Sequence, residues 1–367
     1  MELHDVLSAI QADERPSVLA TIVCVEGHSY RKAGATMLIK LSGEKIGMVS
    51  PGCLEQDLAE RAASVWASGR FDMIEYNMNP DEDMLWGDAV GCGGKIQLLL
   101  EPVTGLLRSL LLDALKQNAA GLAVRLDRSW TVRDIEYALL VDGSFDDSLE
   151  YTGDEDGDST QMRMVISPKP RLVLFGAGKD VEAICSIAKH IGFHIVIADW
   201  RPELCTKERF PEAECAVGMP EQLVERLQLH SEDYLLICSH NLHQDKEMLR
   251  LTLPLQLVYI GIMGSKKRIR LLFETFLIPS NVRAPVGLSI GADGPSEIAV
   301  SVAAELIAVR AGRKSRSRRE AVRDAYFSSL FGGRAKQANG RAEAVAGAIE
   351  RQAARLDGAA CSIFKPS

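Results

Sequence analysis

No Cys-x-x-Cys pair occurs in this sequence, and its eight cysteines are scattered from Cys24 to Cys361. In a chain of 367 residues that pattern fits reduced thiols better than a disulfide framework. It also excludes a C-x₄-C-x₂-C iron–sulfur pattern. No apolar run approaches the roughly 20 residues that a membrane span needs, so no membrane partner is expected. The opening MELHDVLSAIQADERP lacks a basic stretch followed by an apolar one, so no signal peptide is expected and the cytoplasm is the expected compartment. Positive charge is also short: the net charge of −8 argues against nucleic acid as the main partner.

What the chain does have is apolar material for two cores, 47% of its residues, in a length that favours two domains over one. The expected fold class is α/β, a mixed α+β N-terminal domain followed by a Rossmann-like parallel-sheet domain. The expected boundaries are 1–165, 166–312 and a basic tail 313–367.

In the first half, Val18–Val25 and Ala35–Leu41 are rich in β-formers, and Ser42-Gly43 predicts a hairpin turn into Lys45–Val49. A helix is predicted from about Leu54 to Ser68, with Leu58, Ala62 and Val65 on its apolar face and Gly69 at its end. Phe71–Asn77, Lys95–Glu101, Gly121–Asp127 and Ile135–Val141 read as further strands, and Thr104 as the cap of a helix over Leu106–Asn118. The acidic DGSFDDSLEYTGDEDGDST that follows reads as a linker or mobile loop.

The second half alternates strand and helix. Arg171–Phe175, His194–Asp199, Tyr234–Ser239 and Leu257–Ile260 are buried-strand candidates, and Asp180–Ile191 is helical. Such alternation predicts a parallel sheet wrapped by helices. A last helix is predicted from about Pro295 to Arg310, ended by Gly312, before a basic, Ala-rich appendage.

Three groups of residues can carry chemistry. The turn Phe175-Gly176-Ala177-Gly178 follows a strand and opens a helix, which is where a dinucleotide's pyrophosphate meets backbone amides. Asp199, about 20 residues on, stands where a carboxylate holds ribose hydroxyls. His240, after another strand, and the Gly264-Ser265-Lys266 turn are expected at the same carboxyl edge of the sheet.

The second group is Ser50-Pro51-Gly52-Cys53-Leu54-Glu55, where a thiol at a helix N-terminus has a lowered pKa. Cys53 is either a thiolate placed to react or a small residue fitting a tight turn. The third is Gly91-Cys92-Gly93-Gly94, with Cys92 a second ligand or a packing residue. Two cysteines alone do not complete a tetrahedral zinc site, and His28 and Asp88 stand at no supporting spacing. Arg31 and Lys32, in the Gly27–Gly34 loop, suit an anionic phosphate or form a solvated basic loop.

Taken in order, GHSYRKAGATM, PGCLE, GCGG, FGAG, Asp199-Trp200-Arg201, YIGIMGSKKR and IGADGPSEIAVSVAAEL resemble the XdhC/CoxI family from about Leu7 to Arg310. These are accessory proteins of molybdenum hydroxylases such as xanthine dehydrogenase. The resemblance implies a homodimeric chaperone that binds the molybdenum cofactor. It would present the cofactor to a cysteine-desulfurase-type sulfurase and hand it to an apo xanthine dehydrogenase-type hydroxylase. It implies cofactor contacts at Cys53, also the metal ligand, with Gly52, Glu55, Arg31, Cys92 and Gly93. A thiolate is a soft ligand suited to such a metal. Gly176, Gly178, Asp199, His240, Gly264 and Ser265 are the candidate contacts in the second half. Here Gly178 is followed by Lys179-Asp180-Val181 where the family commonly has His-Val-Ala.

Two other functions compete. One is an NAD(P)-dependent oxidoreductase with Asp199 on the adenine ribose and His240 as proton donor. The other is a scaffold whose nucleotide fold is empty and serves docking.

Overall fold

The structure is a computed structural model and describes residues 2–52, 54–78, 94–141, 145, 149–153, 160–274 and 277–331. Met1–Arg318 form one compact unit and Arg319–Ser367 a second. Cys53, Asp88, Cys92, Gly93 and Cys361 lie outside the described residues.

The N-terminal half is layered. Helix α1 (Glu2–Ala12) precedes β1 (Ser17–Gly27), β2 (Thr36–Lys40), β3 (Lys45–Gly47), α2 (Glu55–Ser68), β4 (Asp72–Asn77) and β5 (Gly94–Pro102). The five strands form an antiparallel sheet in the order β3-β2-β1-β5-β4. β1 is apolar at successive positions because both its faces are covered. Val18, Ala20 and Ile22 pack on Leu58, Ala62 and Val65 of α2. Leu19 and Val23 face the other way, into a core shared with Val6, Leu7 and Ile10 of α1.

That second core is closed by α3 (Gly105–Ala119) and an antiparallel sheet β7-β6-β9-β8, made of β6 (Val124–Trp130), β7 (Ile135–Val141), β8 (Glu150–Gly153) and β9 (Thr160–Ile166). On β6 every second residue points inward, and the inward set is Val124, Leu126, Arg128 and Trp130.

The second half is a six-stranded sheet of β10 (Arg171–Phe175), β11 (His194–Asp199), β12 (Glu214–Val217), β13 (Tyr234–Ile237), β14 (Tyr259–Ile262) and β15 (Val282–Arg283). Its order is β12-β11-β10-β13-β14-β15 with every pair parallel. This is the Rossmann arrangement expected from the alternation. Leu172 and Leu174 of β10 pack on α4 (Lys179–His190) and α8 (Gly294–Phe331). Val173 and Phe175 pack on α5 (Pro220–Leu227), α6 (Leu242–Thr252) and α7 (Lys266–Leu272). Chain order reverses between β10 and β13, which opens a crevice at their carboxyl ends.

Several expectations need correction. The acidic stretch is not wholly a linker: its Glu150–Gly153 pairs with Thr160–Ile166 as a hairpin that closes the second sheet. Gly312 does not end the last helix, which runs through to Phe331; a single glycine inside a helix costs only about 1 kcal/mol. Thr104 stands at the α3 N-cap without a side-chain hydrogen bond. Strands β12 and β15 are too short to stand out in sequence, whereas helix α1 carries a readable apolar face in Val6, Leu7 and Ile10.

Candidate functional site

Two places bring the motif residues together. The first is the end of the five-stranded sheet, where the chain leaves β1, enters α2 and crosses from β4 to β5. Buried Ser50 organises the turn into α2. Its hydroxyl donates to Glu55 Oε2 at 2.6 Å and accepts from Gly52 N at 3.3 Å and Leu54 N at 3.2 Å. Glu55 Oε1 accepts from Ser50 N at 3.1 Å, so this carboxylate is committed to shaping the loop.

Gly52, just before Cys53, is exposed with φ +125°, and a Cβ there would meet nothing within 4 Å. The tip of the loop therefore faces open space. Met78 and Gly94 meet at the same place: Met78 N donates to Gly94 O at 2.8 Å. Gly94 packs so closely on the backbone oxygens of Glu26 and His28 that a side chain would not fit. Ser29, Tyr30, Ser50, Pro51, Met78 and Ile96 line a shallow depression between these loops. Half-buried Arg31 follows on the first of them. Gly52 and Gly94, the described residues next to Cys53 and Gly93 in sequence, adjoin Pro51 and Met78 of this depression.

The second place is the crevice of the parallel sheet. Gly176, at φ +117°, lies so close to the end of β13 that a Cβ would stand 2.5 Å from Ser239 Cα. Its lack of a side chain lets the β10 and β13 loops touch. Gly178 is the N-cap of α4, and the first-turn Asp180 folds back, its Oδ1 reaching within 2.6 Å of where a Gly178 Cβ would be. Asp180 Oδ2 is 2.9 Å from His240 Nε2. Hydrogen bonding to His240 holds the Asp180 carboxyl below the usual range, with bonds to its own and Val181 N–H adding to this. The same contact raises the His240 pKa. His240 itself sits at φ +60°, a left-handed conformation uncommon for a side chain of its size.

Asp199 is fully buried. Its Oδ2 accepts from Ala177 N at 2.6 Å and Arg201 Nη2 at 2.8 Å, and its Oδ1 from Arg201 N and Nε at 2.8 and 3.0 Å. The carboxylate thus pins the glycine turn and is covered by Arg201, which stacks 4.4 Å from the Trp200 ring. Arg209 locks the turn from outside through Ala177 O at 2.8 Å.

Gly264 and Ser265 serve Arg268. A Cβ on Gly264 would be 2.8 Å from Arg268 Cδ, and the Ser265 hydroxyl caps Arg268 N at 3.3 Å. Arg268 Nη2 reaches Asp245 Oδ2 at 2.6 Å, and Asp245 also accepts from Ser239. Burial raises the Asp245 pKa, while Ser239 and Arg268 pull it down.

Sequence reasoning missed Ser50, Asp180, Arg201, Arg209 and Arg268 as organising residues. For all but Arg209, which lies in no motif, the signal was adjacency to a motif, but which group each side chain meets is a tertiary fact. The cysteines with resolved shifts elsewhere are not reactive thiolates. Burial pushes Cys185 and Cys205 up to about 11, and Cys238 far up as well. Among the described residues no cluster of three His, Cys, Asp or Glu side chains suits a metal ion, and no helix is long and apolar enough to cross a membrane.

Comparison with known proteins agrees with this two-part architecture. The model of the XdhC and CoxI family matches residues 10–77, and that of the XdhC Rossmann domain matches residues 172–306. A Bacillus subtilis protein named as a probable xanthine dehydrogenase subunit is 35% identical over 84% of this chain and 97% of its own length. The molybdenum cofactor insertion chaperone PaoD of Escherichia coli is 25% identical over 80% of this chain and 83% of its own. A crystal structure described as a xanthine dehydrogenase from Bacillus halodurans superposes with a TM-score of 0.77 at 37% identity, covering 85% of this chain and 97% of that one.

Proposed function

Because the chain belongs to the XdhC and CoxI family, we propose that it is an accessory chaperone for a xanthine dehydrogenase-type molybdenum hydroxylase. In this reading it binds the molybdenum cofactor, supports its sulfuration by a cysteine-desulfurase-type partner and inserts it into the apo-hydroxylase. The name of the E. coli relative as a molybdenum cofactor insertion chaperone supports the cargo.

The observation that carries the reading is the meeting of Ser29, Tyr30, Ser50, Pro51 and Met78 at one end of the five-stranded sheet, beside an exposed Gly52 with open space before it. A cargo that is passed on needs such an open cradle more than a closed pocket. The assigned roles follow from chemistry. Cys53 supplies a thiolate sulfur to the metal, since soft ligands suit such a centre. Gly52 leaves room for the cargo to approach the backbone. Arg31 pairs with the pterin phosphate, which a planar guanidinium binds through two oxygens. Cys92 and Gly93 are assigned to the same cargo through the glycine-rich motif they belong to. Glu55 acts indirectly, by holding Ser50 and so the shape of the loop.

The crevice of the second half argues against the oxidoreductase alternative. A dinucleotide needs the α4 N-terminus for its pyrophosphate and a free carboxylate for its ribose. Asp180 already lies over the first, and Asp199 is used by Ala177 and Arg201. The reading is tested by reconstitution. Apo-hydroxylase is mixed with free cofactor, with and without this protein. Faster recovery of turnover with the protein supports it; equal recovery with and without counts against it.

A further inference from the structure

Three cysteines that belong to no motif meet at one edge of the parallel sheet. Cys185 lies on α4, Cys205 in the loop after β11 and Cys215 on the edge strand β12. Cys205 is buried in the core beneath α4, and Cys185 and Cys215 pack half-buried against that same core. β11 and β12 are in parallel register with Ile197 opposite Cys215. The Cys205 thiol donates to this Ile197 O at 3.4 Å and reaches the carbonyl of Ala216, the residue after Cys215, at 3.7 Å. Paired strands are only about 4.8 Å apart, so Cys205 Sγ sits directly over the stretch of ladder that carries Cys215. Ala216 packs on the opposite face of the sheet, and strand alternation therefore turns Cys215 toward the face that holds Cys205. The two thiols are in hydrogen-bonding contact, whereas Cys185 shares only an electrostatic interaction with Cys215.

We propose that Cys205 and Cys215 form a redox-active pair, closed to a disulfide by exchange with a small-molecule disulfide of the glutathione type. Cys215, half-buried at the sheet edge, gives its proton to solvent and attacks one sulfur of glutathione disulfide. The S–S bond of the reagent breaks, one glutathione leaves as thiolate, and Cys215 carries the other as a mixed disulfide. Cys205 then loses its proton to water and attacks Cys215 Sγ, and the second glutathione leaves. Two protein thiols are oxidised to one disulfide, and one glutathione disulfide is reduced to two thiols. Burial makes Cys205 a poor first nucleophile, but its own attack is intramolecular, on a sulfur already in contact. The loop that holds Cys205 also carries Arg201 and Arg209, which fix Asp199 and the Gly176 turn, so closure couples this edge to the crevice.

The test equilibrates the full-length native protein in glutathione redox buffers, alkylates the remaining thiols and maps linked tryptic peptides by mass spectrometry. Lys207 and Arg209 lie between the two cysteines, so each falls in its own peptide. Wild type is expected to accumulate a Cys205–Cys215 link that dithiothreitol reverses. Cys205→Ser removes the resolving thiol and is expected to leave glutathione on Cys215 at a level at least about tenfold above wild type. The same equilibration in urea is expected to spread pairing over the eight cysteines, which ties the preference to the fold. Four results would each overturn the proposal: no oxidation at either thiol, glutathione on wild-type Cys215 without the link, Cys185 linked to Cys215 in its place, or a Cys205–Cys215 link no more frequent in native than in unfolded protein.

Discussion

Asp180 Oδ2 and His240 Nε2 stand 2.9 Å apart across the mouth of the parallel-sheet crevice, joining the first turn of one helix to the loop that precedes another. The contact bridges residues from either side of the point where strand order reverses. It puts a carboxylate of the chain itself where an anionic ligand's charge would be drawn by the α4 N-terminus.

This pair gives a pH signature. His240 is raised above its ordinary 6.5 chiefly by Asp180, with Asp245 adding to this and burial and Arg268 opposing it. Its contribution to stability is therefore complete below 6.5 and lost as pH rises through the higher folded value. Asp180 is held below 3.8, so its contribution is present above 3.8 and lost as pH falls through the lower folded value. The pair thus stabilises most between 3.8 and 6.5. His240 is half-exposed, which limits the gain to below about 1 kcal/mol. His240→Asn tolerates the left-handed backbone and does not titrate. Its melting temperature is expected to fall below wild type near pH 5.5 and to converge with it at alkaline pH.

A larger effect is expected inside the N-terminal half. Arg128 and Glu101 are both fully buried, with Arg128 Nε 2.9 and 3.1 Å from the two carboxylate oxygens. The Arg128 Nη atoms have no hydrogen-bond partner among the described residues. Glu101→Gln leaves a buried cation unpaired and is expected to cost about 3–5 kcal/mol in urea unfolding. Arg128→Met with Glu101→Leu removes both charges and is expected to recover most of that loss.

Gly176→Ala is expected to be severe. The φ of +117° alone implies strain of about 1–3 kcal/mol. The added methyl also runs into the Ser239 backbone at 2.5 Å, which has no flexible side chain to yield. The expected readout is a sharply reduced melting temperature or insoluble expression, whereas a variant as stable as wild type would mean that the two loops move apart freely.

Ser50→Ala removes the hydroxyl that ties Gly52, Leu54 and Glu55 together. Loss of a cap of this kind costs about 1 kcal/mol. Cofactor affinity is expected to drop more than stability does, since the loop presenting Cys53 loses its shape. Equal cofactor affinity in Ser50→Ala and wild type would separate the loop from the cargo.

Much of this was legible in the sequence, for physical reasons. The parallel sheet followed from short apolar runs alternating with helical periodicity. The Gly176 turn was readable because only glycine meets its backbone demand. The strand expected over Gly121–Asp127 stops short of Arg128, so the inward set of Val124, Leu126, Arg128 and Trp130 emerged only in the fold. What stayed hidden depended on residues distant in sequence. Nothing near Asp199 announces that Ala177 and Arg201 use its lone pairs. Nothing in Lys179-Asp180-Val181 announces that His240 lies opposite. The β8–β9 hairpin was hidden for another reason: β8 sits among acidic and glycine residues and is held only by pairing with β9, which in turn pairs with β6.

The central claim is that the loop carrying Cys53 binds the molybdenum cofactor. The most direct measurement is anaerobic cofactor binding by purified wild type and Cys53→Ser, with an NADH titration alongside. Wild type is predicted to hold stoichiometric cofactor and the variant to lose at least about tenfold in affinity, with no uptake of NADH by either. Equal cofactor binding by both proteins, or NADH binding without cofactor binding, would contradict it.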